Sequence, residues 1–190
     1  MKQRNKTLWQ VEELREEHIP PIAAIERACF TDPWSESALR DELNSPLARY
    51  FVCTENGEVL GYIGTRMVLD ECQVANVAVS PACRREGVAS FLMEAMLDSC
   101  RREGMNLVTL EVRVSNSAAQ ALYEKFGFQK TGIRPGYYRS PPEDAVLMSL
   151  SPEHPLRRRG AAAISGGTAG QRKAPLVQRG DSRAKPCRGD

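Results

Sequence analysis

Two residues of this 190-residue chain could carry acid–base chemistry, a carboxylate in an apolar stretch and a phenol in a helical pattern. Glu111 lies within Leu110-Glu111-Val112-Arg113, and Tyr123 lies within the segment 121–128. A carboxylate can accept a proton from a nucleophile, and a phenol, with a pKa near ~10, can protonate a leaving group. Each residue also has an ordinary structural interpretation. Glu111 could form a strand ion pair with Arg113, and Tyr123 could simply pack on the core-facing side of its helix.

A third candidate for chemistry is the basic loop at residues 84–89, which has the pattern R-x-x-G-x-A. Its small residues allow the backbone to approach a ligand closely, and the N–H groups at the start of the following helix favour a pyrophosphate. A loop that only caps a helix would look the same. Asn116, which follows a strand, likewise has a second interpretation as a simple helix cap.

Hydrophobic periodicity predicts the elements that position these residues. We expect strands at 8–14, 50–54, 59–69, 73–79, 107–112, 128–133 and 144–150. We expect helices at 19–29, after an N-cap at Ser35 to residue 43, from the basic loop to about Glu103, and after a cap at Ser115 or Asn116. Asn56-Gly57 predicts a hairpin turn, and Gly136-Tyr137-Tyr138 is predicted to link the last two strands.

The resulting order is β-α-α-β-β-β-α-β-α-β-β, which predicts a mixed α/β fold. The strand-helix-strand crossover near the middle requires one parallel pair of strands within a largely antiparallel sheet.

Composition indicates one folded domain followed by a tail. With 42% hydrophobic residues, the chain can bury one sizeable core, so a single domain is expected over residues 1–150. The net charge of +2 divides into −4 for residues 1–150 and +6 for residues 151–190. The basic tail has few large apolar residues, so we expect it to be disordered. No apolar run approaches the ~20 residues of a membrane span, and nothing resembles a signal peptide, which predicts a cytoplasmic protein.

Cysteine and histidine usage argues against a metal site. The six cysteines form no C-x-x-C pair, and the histidines are His18 and His154. We therefore expect reduced, mostly buried thiols and no metal. A cysteine nucleophile stays open as an alternative, although a histidine partner for it is hard to find.

The order of the motifs resembles the GNAT acetyltransferase superfamily and, within it, the RimI family of ribosomal-protein-alanine N-acetyltransferases. The resemblance runs from the first strand to Leu150. It rests on the strand-loop-helix segment 76–89, the strand 110–113, Asn116 and the segment 121–128. It also includes Cys29-Phe30, Pro33-Trp34-Ser35, Asp70-Glu71, Arg134, Tyr137-Tyr138, Glu143-Asp144-Ala145 and Met148.

This resemblance implies a GNAT fold, with helices on both faces of the sheet and a central parallel pair of strands splayed to bind acetyl-CoA. It implies that Glu111 is the general base and Tyr123 the general acid. It places acetyl-CoA against Asn116 and against the main chain of the strand and the basic loop, namely Val77, Ala78, Val79, Arg84, Arg85, Glu86, Gly87, Val88, Ala89 and Ser90. Ala89 stands where many members have glycine, a common exchange in the superfamily.

The acceptor site is less well defined by the motifs. Trp34, Tyr137 and Tyr138 are candidates for its walls. Asp70-Glu71 is either a solvated turn or a site that attracts a cationic acceptor. By resemblance, the acceptor is the N-terminal alanine of small-subunit ribosomal protein number eighteen, and the enzyme is a monomer or a weak dimer.

Two alternatives remain at this stage. One is an acetyltransferase with broader specificity, acting on several protein N-termini or on lysine. The other is a non-catalytic acetyl-CoA-binding module that contacts the ribosome or RNA through the basic tail. Retention of both Glu111 and Tyr123 argues against the module, because binding alone requires neither residue.

Overall fold

The computed structural model describes residues 6–151, which form a seven-stranded sheet and four α-helices. The strands are β1 Trp9–Glu13, β2 Ala48–Glu55, β3 Glu58–Val68, β4 Glu71–Val79, β5 Leu107–Arg113, β6 Gln129–Arg139 and β7 Pro142–Leu150. The helices are α1 Ile19–Cys29, α2 Glu36–Leu43, α3 Val88–Arg102 and α4 Ser117–Lys125.

The strand order in the sheet is β1-β2-β3-β4-β5-β7-β6. All neighbouring strands are antiparallel except β4 and β5, which are parallel and connected through α3. The predicted order of elements and the mixed sheet with one parallel pair are therefore confirmed.

The parallel pair is joined only at its beginning. Within the described residues, the β4–β5 register covers Glu71–Gln73 against Leu107–Thr109 and then stops. Both strands continue, to Val79 and to Arg113. Because each is held on its other side by an antiparallel neighbour, the two strands diverge into an opening that is bordered by strand backbone.

A β-bulge divides β4 into two halves, in which the alternation of side chains between the two faces of the sheet differs by one residue. Gly64 pairs with Asn76 and Thr65 pairs with Val74, so Ala75 is the extra residue. Cys72 and Val74 belong to one core, whereas Ala78 belongs to the other. Past the bulge, Val77 and Val79 pack against the first core. Even-numbered residues therefore face the larger core before the bulge and odd-numbered residues face it after the bulge, just before the strand borders the opening.

Apolar side chains fill a core on each face of the sheet. The larger core packs under α3 and α4 and includes Leu92, Met96 and Tyr123. The other core packs under α1 and α2 and includes Ile22, Leu39 and Tyr62. Adjacent residues of a strand point to opposite faces, as Phe51 and Val52 do, so a central strand serves both cores.

Local signals predicted most element boundaries closely. Helix α1 has the predicted limits, and α2 begins after Ser35, whose hydroxyl accepts a hydrogen bond from the N–H of Ala38 at 3.2 Å. Gly104 and Gly127, with φ of 72° and 91°, lie just past the ends of α3 and α4. For α4, the structure selects Asn116 rather than Ser115 as the cap.

The predicted link at Gly136-Tyr137-Tyr138 is wrong, because these residues belong to β6. The ladder is irregular between Arg134, which pairs with Ala145, and Tyr138, which pairs with Glu143. Between them, the N–H of Gly136 donates to the Asp144 carboxylate at 2.8 Å. A side-chain acceptor thus replaces a backbone acceptor, and the strand continues through a Pro-Gly pair that normally ends one.

Other expectations concern the chain's surroundings. Among residues 6–151, no helix is long and apolar enough to cross a membrane. The five cysteines in this range are free and buried, as predicted, while Cys187 lies outside the described residues. The predicted disorder of the tail also concerns residues outside the described range.

Candidate active site

One wall of the opening is the outer edge of β4 at Val77–Val79. The N–H of Ser80 bonds the carbonyl of Leu60 on β3 at 2.9 Å, so Ala78, two residues earlier, also directs its backbone groups toward β3. The backbone groups of Val77 and Val79 therefore point away from β3, toward the opening. The Cys29 thiol donates to the Val79 carbonyl at 3.5 Å. Of the three residues on this strand that were predicted to contact acetyl-CoA, Val77 and Val79 direct their backbone groups toward the opening, whereas Ala78 does not.

The basic loop follows this wall directly. Arg85 and Gly87 have φ of 66° and 101°, both left-handed, and Gly87 is the N-cap of α3. Because glycine has no side chain to cap a helix, the first N–H groups of α3 are open to an anion. An added Cβ at Gly87 would lie 2.9 Å from Nζ of Lys6, so this ammonium group joins the two arginines of the loop. The loop geometry therefore fits a pyrophosphate.

The remaining predicted loop residues surround this helix start. Arg84 donates through Nη2 to the Cys29 sulfur at 3.2 Å, which ties the loop to α1. Val88 is buried in the larger core and anchors the helix, while Ala89 and Ser90 complete its first turn. These contacts fix the backbone of the loop, the part of it that a phosphate would meet.

Glu111 is on the other wall, in the part of β5 that β4 no longer pairs with. Its side chain is 10% exposed. One carboxylate oxygen accepts a hydrogen bond from Nε2 of Gln73 at 3.4 Å, and the other lies 3.6 Å from Nη1 of Arg134. The ion pair with Arg113, which was the structural alternative for Glu111, is not the one formed.

Tyr123 lies on α4, and its ring is 7% exposed in the larger core, where it packs against Phe128 with 5.8 Å between ring centroids. Asn116 caps the same helix, since its Oδ1 accepts a hydrogen bond from the N–H of Ala119 at 3.0 Å. The structural interpretations of both residues are therefore realised. The cap occupies Oδ1 of Asn116, so a contact with a ligand would use its Nδ2.

Arg113 connects β5 with the turn between β6 and β7. Its guanidinium donates to the carbonyls of Ser140 at 2.9 Å and Pro141 at 3.1 Å, and to the Glu143 carboxylate at 3.0 Å. It also lies 4.2 Å from the ring centroid of Tyr138. Burial opposes ionisation of Glu143, but hydrogen bonds from Ser115 and Arg113 hold the pKa of that carboxyl below its ordinary value.

Three aromatic residues predicted to line the acceptor site occupy different environments. Tyr138 is buried and donates its hydroxyl to the Glu111 carbonyl at 3.3 Å, so it lies beside the candidate base. Tyr137 is edge-on to Tyr138 at 5.1 Å, and the Arg134 guanidinium lies 4.8 Å from its ring centroid. Trp34 is 8% exposed within the core beneath α1 and α2.

Comparison with known proteins decides the family. The family model "Acetyltransferase (GNAT) family" matches residues 19–128, more than half of the chain. The chain belongs to the GNAT family. It is thus an acetyltransferase, and the resemblance found in its motifs is confirmed.

Individual GNAT relatives agree over most of their length. The [ribosomal protein bS18]-alanine N-acetyltransferase of Escherichia coli is 37% identical over 136 residues, which cover 70% of this chain and 90% of the relative. The N-alpha-acetyltransferase RimI of Mycobacterium tuberculosis is 38% identical over 121 residues, which cover 62% of this chain and 75% of the relative. The crystal structure of the ribosomal-protein-S18-alanine N-acetyltransferase from E. coli superposes with a TM-score of 0.72 and 32% identity, covering 80% of this chain and 99% of that one.

Some residues of this GNAT site were not assigned from sequence. Gln73 contacts Glu111 from the neighbouring strand, 38 positions away, and no local pattern signals that contact. Arg134 belonged to the resemblance, but it had no assigned role. Within residues 6–151, no group of three or more histidine, cysteine, aspartate or glutamate side chains is arranged to hold a metal ion.

Proposed function

We propose that this protein transfers the acetyl group of acetyl-CoA to the N-terminal α-amine of a protein, with the N-terminal alanine of small-subunit ribosomal protein bS18 as the acceptor. The observation that carries the proposal is the position of Glu111. Its carboxylate lies on the diverging part of β5, across the opening from the backbone edge of β4 that faces away from β3. Relatives whose names state this reaction support the acceptor.

Acetyl-CoA would lie in the opening, with its pyrophosphate at the basic loop. The outward backbone groups of Val77 and Val79 would form hydrogen bonds with its pantetheine arm, which would then lie beside β4 as a neighbouring strand does. The N–H groups around Gly87 and the cations of the loop would hold the phosphates. Acetyl-CoA supplies the acetyl thioester, and the protein residues supply position and proton transfer.

Glu111 acts as the general base in this proposal. An α-amine has a pKa of ~7.7 to 8.0, so at neutral pH most of it is ammonium and must lose a proton before it attacks. Glu111 takes that proton, and the amine nitrogen then forms a bond to the acetyl carbon as the carbon–sulfur bond breaks. The nitrogen gives its second proton to solvent as the amide forms. The guanidinium of Arg134 lies 3.6 Å from this carboxylate, so the incoming amine would share the carboxylate with it.

Tyr123 acts as the general acid. The sulfur leaves as a thiolate whose parent thiol has a pKa of ~8.5, and a phenol near ~10 can donate a proton to it during departure. The buried ring of Tyr123, packed against Phe128, holds the phenol in one orientation. Transfer is direct, without a covalent intermediate on the enzyme.

The acceptor would enter on the side of Tyr137 and Tyr138, with Trp34 beneath the adjoining loop. Residues 1–150 carry a net charge of −4, which favours a cationic peptide because complementary fields raise association rates. We assign catalysis to the domain that ends at Leu150. The basic tail, which lies outside the described residues, would add at most a weak contact with ribosomal RNA.

Acetylation of synthetic peptides tests the proposal. Purified protein with acetyl-CoA should add one acetyl group, read by mass spectrometry, to the α-amine of an arginine-rich peptide that begins with alanine. A glutamate-rich peptide that begins with alanine should react more slowly at low salt. If only lysine side chains were modified, the result would contradict the proposal and identify the protein as a lysine acetyltransferase. Binding of acetyl-CoA with no transfer to any peptide would favour a non-catalytic module.

A further inference from the structure

A buried carboxylate lies between the two halves of the proposed site. Glu26 of α1 is 0% exposed. One of its oxygens accepts hydrogen bonds from the Tyr62 hydroxyl and from Nδ2 of Asn76, the latter at 2.9 Å. The other oxygen accepts the backbone N–H of Trp34 at 2.7 Å. Burial of a charge is costly unless hydrogen bonds compensate for it, so this group is held by several donors at once.

Two of the three donors, Asn76 and Trp34, come from segments that the reaction must bring together. Asn76 follows the bulge residue Ala75 and directly precedes Val77, where β4 begins to border the opening. Trp34 belongs to the acceptor loop, which we define as residues 30–35 between α1 and α2. A single carboxylate therefore connects the acetyl-CoA strand with the acceptor loop.

The acceptor loop is also fixed at a second point. The Thr31 hydroxyl donates to the Ser140 carbonyl at 3.0 Å, and the same carbonyl accepts a hydrogen bond from Arg113 at 2.9 Å. Arg113 is two residues beyond Glu111 on β5. Contacts thus run from β4 through Glu26 to the loop, and from the loop back to the strand that carries the proposed base.

We propose that Glu26 is a positioning residue that sets the distance between the acceptor loop and the acetyl-CoA strand. It does not touch either substrate. Its effect is to place the acceptor amine within reacting distance of the acetyl carbon, and a misplacement of ~1 Å can cost about 100-fold in rate. This inference rests on the proposed function, because it presumes that the amine and the thioester meet between these two segments.

The partners of Glu26 support a fixed arrangement. Burial and the adjacent Glu26 charge raise the pKa of Tyr62 well above its ordinary value, so its hydroxyl stays a donor. The N–H of Trp34 and Nδ2 of Asn76 can only donate. A carboxylate accepts all three hydrogen bonds, whereas an amide, which has one oxygen and one donor group, leaves a donor without an acceptor.

The variant Glu26→Gln tests the proposal. We expect kcat for an arginine-rich peptide that begins with alanine to fall about 10- to 100-fold and the peptide KM to rise, because the loop loses its fixed distance. The Kd of acetyl-CoA should stay within about two-fold of the wild-type value, because the basic loop and its contacts are unchanged.

Glu42→Gln is the matched control. Glu42 is also buried, at 6% exposure, and faces the same side of the sheet from α2, but its carboxylate pairs with Arg66 at 2.6 Å rather than with the acceptor loop. This variant should lose thermal stability while it keeps the wild-type kcat and peptide KM well below its Tm. Its comparison with Glu26→Gln separates positioning from stability.

Three outcomes would overturn the role of Glu26. They are wild-type kinetic constants in a less stable Glu26→Gln protein, a defect confined to acetyl-CoA affinity, and an equal kinetic loss in Glu42→Gln. If Glu26→Gln does not fold, Asn76→Ala removes only the strand side of the network, and its kcat should fall in the same way. An inactive wild-type protein would instead refute the proposed function.

Discussion

The half of the site that would hold acetyl-CoA and the half that would hold the acceptor are built differently. The acetyl-CoA half is backbone from one continuous segment, from the end of β4 through the basic loop to the start of α3. The acceptor half is assembled from side chains far apart in sequence, such as Thr31 with Ser140, 109 positions away. A ligand common to a whole family can be bound by main chain, which any side chain leaves available. An acceptor that differs among enzymes must be recognised by side chains, which can be exchanged one at a time.

The largest effect should come from the proposed acid, which belongs to neither half. Tyr123→Phe keeps the ring that packs against Phe128 and removes only the hydroxyl. Turnover should fall by ~100-fold or more, the scale of a general acid, while acetyl-CoA affinity and Tm stay close to wild type. Steady-state kinetics with calorimetry check this. Normal turnover in a folded variant would return Tyr123 to a packing role.

Removal of the proposed base should give a defect that depends on pH. Glu111→Gln keeps the shape of the side chain and loses the proton acceptor, so activity at pH 7 should fall by about 10- to 100-fold. The defect should shrink above pH ~8, because more of the amine then arrives deprotonated. A profile of kcat/KM from pH 6 to 9 measures this. A constant defect across that range would mean that Glu111 positions the acceptor rather than takes its proton.

The acetyl-CoA half should respond to a change of backbone rather than of side chain. Gly87→Val forces a branched residue into φ of 101°, so the loop must shift, and the KM of acetyl-CoA should rise at least ~10-fold with little change in peptide KM. Gly104→Val is the control, since it imposes a left-handed strain at the other end of α3, with φ of 72° and no atom within 4 Å of the added Cβ. Equal effects of the two variants would show that only strain in the helix matters.

The smallest effect should appear in the acceptor half, as a dependence of stability on acidity. The pKa of Glu143 is lowered in the folded protein, so its contribution to stability is complete above the unfolded pKa of ~4.3 and is lost as pH falls through the folded pKa. Glu143→Gln should therefore be less stable than wild type at pH 7, by about 0.5 to 1 kcal/mol, the size of a partly exposed ion pair. Urea unfolding at pH 7 and pH 3 measures the difference, which should shrink at the lower pH. A difference of the same size at both pH values would assign the effect to shape rather than charge.

The same contrast explains what the sequence could and could not predict. The basic loop and the capping residues Ser35 and Asn116 act on their own neighbours, so local patterns identified them. The structural alternative for Glu111, an ion pair with Arg113, is not formed, because Arg113 is close in sequence but turns toward Ser140 and Pro141. The continuation of β6 through Gly136 depends on the Asp144 side chain across the ladder, which no local pattern reveals.

The bulge at Ala75 divides β4 into two short segments. Even-numbered residues face the core under α3 in the first segment, and odd-numbered residues face it in the second. Because Ala75 is the unpaired residue, its deletion would leave a regular ladder in which Val77 and Val79 still face the core under α3 and Ala78 still faces the core under α1. A hydrophobic pattern followed at a strict period of two through Ala75 would instead assign Val77 and Val79 to the wrong face. When chains of this kind are aligned or redesigned, a one-residue gap at Ala75 should therefore be treated as loss of the bulge, and the alternation of faces should be restarted at Asn76.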